Sequence, residues 1–127
     1  MVKNLLPKWE GGRQNGGYRV LTLINNKRIK FDMHLIHYPT GSRIPPHVDQ
    51  ANFDQRHYRL NIEVKRPKAG GKFECENCIF RWWRIALFRP DRNLHMVTKV
   101  EAGSRYVLSF GWLRRPAKQS LRDIKFD

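Results

Sequence analysis

The chain has 127 residues, with 25 Lys and Arg against 11 Asp and Glu, a formal charge of +14. That length fits a single domain spanning residues 1–127, and a hydrophobic content of 40% can supply its core, which argues against disorder of the whole chain. No apolar run approaches the roughly 18–20 residues of a membrane span, and Met1–Trp9 has no signal-peptide core, so a soluble, cytoplasmic protein without membrane contact is expected.

In chain order, residues 1–17 form a lead-in segment, with Pro7–Gly17 rich in glycine and polar residues and read as loop. Tyr18–Ile24 is β-branched and aromatic, Asn25–Lys27 is a turn, and Arg28–Tyr38 alternates. Ile29, Phe31, Met33, Leu35 and His37 share one face, and Lys30, Asp32, His34, Ile36 and Tyr38 the other, so an antiparallel hairpin is predicted. Pro39–Ser42 is a turn. Arg43–Asp49 is short and extended, because Pro45 and Pro46 forbid helix. Tyr58–Val64 alternates again, Gly70-Gly71 precedes Lys72–Cys75, and Ile79–Phe88 is aromatic and β-rich. His95–Val100 is a strand, Glu101–Gly103 a turn and Ser104–Leu113 the last strand, followed by a basic, partly helical tail from Arg114 to Asp127. About eight short strands with little helix predict an all-β sandwich, barrel or jelly roll.

His47-Val48-Asp49 and the distant His95 carry the chemistry. Residues two apart on a strand point to one side, so His47 and Asp49 can share an ion, with His95 arriving from a neighbouring strand. Two imidazoles and a carboxylate hold a divalent metal on one face and leave the opposite positions open, the donor set of non-haem Fe(II) oxygenases. Ten positions beyond His95, Arg105 offers a planar cationic fork for an organic diacid co-substrate. His34, His37 and His57 read as ordinary surface or core histidines.

Several segments in order resemble the Fe(II)/2-oxoglutarate-dependent oxygenases, in particular their prolyl 4-hydroxylase-like branch. These are Tyr38-Pro39-Thr40-Gly41 ahead of His47-Val48-Asp49, Leu60-Asn61-Ile62, Gly70-Gly71-Lys72-Phe73, and His95 through Arg105-Tyr106-Val107-Leu108-Ser109 to Gly111-Trp112. The likeness covers about Leu35 to Leu113. It implies a double-stranded β-helix, a distorted jelly roll, with His47, Asp49 and His95 binding iron. It further implies that Arg105 and Tyr38 hold 2-oxoglutarate, and that O2 and 2-oxoglutarate are consumed to give succinate, carbon dioxide and a hydroxylated substrate. Asn61 either reaches the co-substrate or satisfies backbone, and Trp112 either walls the iron pocket or belongs to the core.

The resemblance implies a hydroxylase acting on a protein side chain. The alternatives are a nucleic-acid-modifying oxygenase and a basic β-barrel that binds nucleic acid without catalysis. The charge favours anionic partners. Two basic clusters, Lys65-Arg66-Pro67-Lys68 and Arg81-Trp82-Trp83-Arg84, either meet phosphates and bases or are a solvated face, and Arg114, Arg115 and Lys118 extend the pattern past the last strand. The chain is short for the family, so a homodimer could shield strand edges. Cys75-x-x-Cys78 is half a zinc site, a redox pair, or a tight turn by coincidence.

Overall fold

The computed structural model describes residues 8–12, 16–49 and 55–114. Twelve strands are found among them: β1 (Trp9–Gly11), β2 (Arg19–Asn26), β3 (Phe31–Tyr38), β4 (Ile44–His47), β5 (Arg56–Lys65), β6 (Ala69–Gly70), β7 (Phe73–Cys75), β8 (Phe80–Trp82), β9 (Ile85–Phe88), β10 (His95–Val97), β11 (Val100–Ala102) and β12 (Arg105–Arg114). A seven-stranded sheet runs in the order β1-β2-β3-β12-β5-β9-β8; β4-β10-β7 forms a second sheet and β11-β6 a small third. The all-β expectation is met, and no described helix is long and apolar enough to cross a membrane.

The core lies between the two larger sheets. Tyr38, Val107, Ala86 and Phe88 come from the large sheet, Phe73 and Val97 from the three-stranded one, with Val100 and Tyr18 closing the cluster. Alternation along β12 sets the two sides: Arg105, Val107, Ser109 and Gly111 are buried, and the residues between them are only partly so. Cross-strand partners share a face, so Asp32, His34, Ile36 and Tyr38 of β3 and Arg59, Asn61 and Glu63 of β5 also face inward.

The outer face is apolar. Trp9, Leu21, Leu35, Leu108, Ile62, Ile85 and Trp82 make one cross-strand row over seven strands. Ile24, Met33, Phe110, Leu60, Leu87 and Phe80 make a second over six. Trp112 also lies on this side, stacked on Tyr58 at 5.9 Å. It therefore does not wall the inner cavity.

Several boundaries differ from the sequence expectation. The lead-in contains a strand, β1, paired with β2. β2 continues to Asn26, and the turn falls at 27–30. There the Asn26 carboxamide oxygen accepts the amides of Arg28 and Ile29, and Lys30 takes φ 57°. Ile79–Phe88 is a hairpin, turning at Trp83-Arg84. His95–Val100 divides into β10 and β11, which join different sheets, and β11 occupies the expected turn at Glu101. Beyond Arg114, the last residue of β12, the expected basic tail lies outside the described residues.

Candidate metal centre

His47, Asp49 and His95 converge: one ligand atom from each lies within 4.8 Å of the others, and among the described residues this is the one such cluster of His, Cys, Asp or Glu. The backbone brings them together. His95 opens β10 directly opposite His47 at the end of β4. Asp49, two residues further, donates its amide to the Pro90 carbonyl at 2.7 Å.

The turn between β9 and β10 acts as the jig. The Arg89 guanidinium grips Asp91 with Nε at 3.1 Å and Nη2 at 2.5 Å, and the Arg89 amide donates to the Asn93 side chain at 2.8 Å. The same turn supplies the Pro90 carbonyl for Asp49 and the Asn93 carbonyl for His95.

Main-chain carbonyls orient both rings. His47 Nδ1 is 2.9 Å from the Pro45 oxygen and His95 Nδ1 is 2.8 Å from the Asn93 oxygen. A carbonyl only accepts, so each Nδ1 carries a proton, and in the neutral ring Nε2 then presents a lone pair. Those Nε2 atoms lie 3.3 Å and 3.8 Å from the two Asp49 oxygens. Burial, against Phe88 at 5.0 Å and Phe73 at 6.3 Å, pushes the His95 pKa down, and the neighbouring His47 adds to this. The neutral imidazole is thereby favoured. Two lone pairs facing a carboxylate form an all-acceptor site, complemented by a divalent cation.

The triad opens on a cavity of about 830 Å3. Its opposite wall is a hydrogen-bonded chain on the inner face of the large sheet. Thr22 meets His34 Nδ1 at 3.0 Å, His34 Nε2 meets Asp32 at 3.1 Å, and Arg59 Nη2 donates to Asp32 at 2.7 Å. Arg59 Nη1 donates to the Ser109 hydroxyl at 2.7 Å, and Ser109 donates to the Asn61 side-chain oxygen Oδ1 at 2.6 Å. Arg59, Gly111 and Asp32 occupy one cross-strand row, and a Cβ on Gly111 would sit 2.0 Å from Arg59 Nη2. Glycine there lets the guanidinium cross β12 to its carboxylate. Burial would raise the Asp32 pKa, but His34 and Arg59 overcome it and bring it down to about 2.

Tyr38 lines this cavity, with its pKa raised by burial. Arg105 lies behind it, 4% exposed, its guanidinium carbon 4.9 Å from the Tyr38 ring centroid. Arg105 Nε donates to Glu63 at 2.7 Å, and the side chain lines a neighbouring cleft that shares Asn61 and Phe73 with the triad cavity. Asn61 satisfies Ser109, the side-chain counterpart of its expected structural role. Sequence reasoning missed Asp32, His34, His57, Arg59 and Ser109 as cavity residues. The signal was strand parity: Asp32 and His34 were already on the Tyr38 face.

Cys75 and Cys78 are free thiols. Burial, with Cys78 beside it, pushes the Cys75 pKa up to about 12, and Cys78 points at the carbonyls of Phe80 and Leu87 at 3.3 Å and 3.2 Å. Asn77 takes φ 54° between the two cysteines, as a tight turn requires.

No known family profile matches the chain, and no curated protein does. Solved structures match in shape. A prolyl-4-hydroxylase of Pseudomonas putida aligns with TM-score 0.61 and 16% identity over 87% of this chain and 79% of its own. A viral collagen prolyl hydroxylase of Paramecium Bursaria Chlorella virus-1, solved as its 2OG complex, aligns with TM-score 0.51 and 20% identity over 68% of this chain. The chain spans 60% of the length of that viral protein. The Schizosaccharomyces pombe Cnp3 cupin domain aligns with TM-score 0.55 and 12% identity over 91% of this chain and 74% of its own. At these identities the likeness is one of architecture: the chain has the double-stranded β-helix fold shared by prolyl hydroxylases and cupins.

Proposed function

We propose that the protein is an Fe(II)- and 2-oxoglutarate-dependent dioxygenase that hydroxylates a protein side chain. The observation that carries this reading is the pair of carbonyl-anchored imidazoles, whose Nε2 lone pairs converge on Asp49 at the mouth of a large cavity. His47, Asp49 and His95 would hold the iron facially, leaving the opposite positions for co-substrate and oxygen. When bound, the metal and 2-oxoglutarate supply the oxidising chemistry, coupled to decarboxylation to succinate. Arg105 and Tyr38 dock the distal carboxylate of the co-substrate; the guanidinium is already desolvated, so its attraction for an anion is little screened. The Thr22–Asn61 hydrogen-bonded chain fixes the facing wall, and Phe73 and Phe88 shield His95 from water.

Adding Fe(II) and 2-oxoglutarate under anaerobic conditions should give a weak visible charge-transfer band, and oxygen should then release succinate. His47→Ala or Asp49→Ala should remove both signals while the fold, followed by circular dichroism, persists. A wild-type protein that binds neither Fe(II) nor 2-oxoglutarate would end this reading.

A further inference from the structure

The two basic clusters, one of them aromatic, are distant in sequence but meet in the second cleft, which holds about 600 Å3 between the β5–β7 connection and the β8–β9 hairpin. Arg66, Lys68, Lys72, Arg81, Arg84 and Arg105 line it, against Glu63 and Glu74. Glu63 is already shared by Arg105 and Arg66, at 2.7 Å and 2.9 Å. Arg81 is committed to the Phe73 carbonyl at 2.6 Å and to the Phe73 ring. Among the described residues, no ion pair engages Lys68, Lys72 or Arg84. Arg84 Nε is buried without a hydrogen-bond partner. The cleft therefore carries more positive charge than its own carboxylates neutralise.

The hairpin tip adds a second observation. Trp83 is 66% exposed and sits at φ 53°, a backbone conformation in which a bulky side chain is strained and glycine is usual. Its ring is backed by the Arg84 guanidinium, 5.1 Å from the ring centroid. A large aromatic held open to solvent in an unfavourable conformation contributes little to the core. It does present a flat, cation-backed face beside free ammonium groups.

We propose that this cleft binds single-stranded nucleic acid, with Arg66, Lys68, Lys72 and Arg84 meeting backbone phosphates and Trp83 stacking on a base. Such grooves combine cations that follow the backbone with aromatic faces that accept any base. A duplex hides its base faces, so the Trp83 contact selects the single strand. This inference goes beyond the metal centre, and none of the residues it assigns to nucleic acid is assigned to the metal or the co-substrate.

The test is fluorescence anisotropy of a labelled oligothymidylate of about 12 nucleotides, titrated with the full chain in EDTA. EDTA makes the outcome independent of the metal reading. Engaging four phosphates should give a log–log salt slope of about −3. Trp83→Ala should weaken binding about 10-fold, and Trp83→Phe should recover most of the loss. Lys68→Gln with Lys72→Gln should weaken binding and flatten the slope by about 1.4. Arg19→Gln with Arg28→Gln removes equal charge outside the cleft and should leave affinity within about twofold. The proposal is overturned if Trp83→Ala binds like wild type, if a duplex of the same length binds as tightly, or if the Arg19/Arg28 control matches the cleft variant. A thermal melt of each variant excludes unfolding as the cause.

Discussion

A partly buried guanidinium, Arg59, and a buried one, Arg105, face the interior of this fold, and their surroundings divide its chemistry. Arg59 crosses Gly111 to reach Asp32 and Ser109 inside the triad cavity; Arg105 lies behind Tyr38 and pairs with Glu63 in the adjoining cleft. Both Nη atoms of Arg59 are engaged by Asp32 and Ser109, whereas Arg105 gives Nε to Glu63 and also bonds the Tyr38 side chain. Asp32 also meets His34, while Glu63 also holds Arg66. Arg59 thus completes a network inside the triad cavity, and Arg105 a separate one with Glu63 and Tyr38.

The comparison breaks most visibly under truncation. Arg59→Ala leaves a half-buried carboxylate short of its guanidinium, and denaturant unfolding should show a loss of about 3 kcal/mol. Arg105→Ala should cost less stability, because Arg66 still compensates Glu63. It should instead weaken 2-oxoglutarate binding about 100-fold while sparing Fe(II). If Arg59→Ala produced that binding defect and Arg105→Ala did not, the docking role would pass to Arg59.

Acid sharpens the contrast further. Asp32 has a folded pKa of about 2 against 3.8 unperturbed, so its contribution is present above the unfolded value and lost as pH falls through the folded one. Unfolding between about pH 4 and pH 2 should lose up to about 2 kcal/mol, and Asp32→Asn should abolish that segment of the profile. The smallest effect is expected for Gly111→Ala. Its Cβ meets the far ends of the Arg59 and Asp32 side chains, which can swing aside, so a melt should report about 1 kcal/mol, with partial loss of the Asp32 pKa depression.

The strands and the triad were legible because their signals are local: alternation marks β3, β5 and β12, and His47 and Asp49 fall two apart on one extended segment. The inner face of the large sheet was not. Apolar residues ordinarily turn inward, which would place Phe31, Met33 and Leu35 in the core. Here they face out, and Asp32 and His34 face in, because the inner face lines a polar cavity and each polar group finds a partner there: Asp32 the Arg59 guanidinium across β12, and His34 the Thr22 hydroxyl on β2. Such partners are set by register between β3, β5 and β12, distant in sequence. The meeting of Lys65–Lys68 with Arg81–Arg84 was hidden for the same reason. Each cluster was visible, but their shared cleft depends on where the β8–β9 hairpin folds back.

The acceptors that orient His47 and His95 are the peptide oxygens of Pro45 and Asn93. Those oxygens belong to the main chain, so the aim of both rings is encoded in the course of the polypeptide, which the Asn93 carboxamide and the Arg89–Asp91 pair brace on the His95 side. Mutational drift that leaves β4 and the segment from Arg89 to Leu94 on their course can therefore proceed without misdirecting the triad.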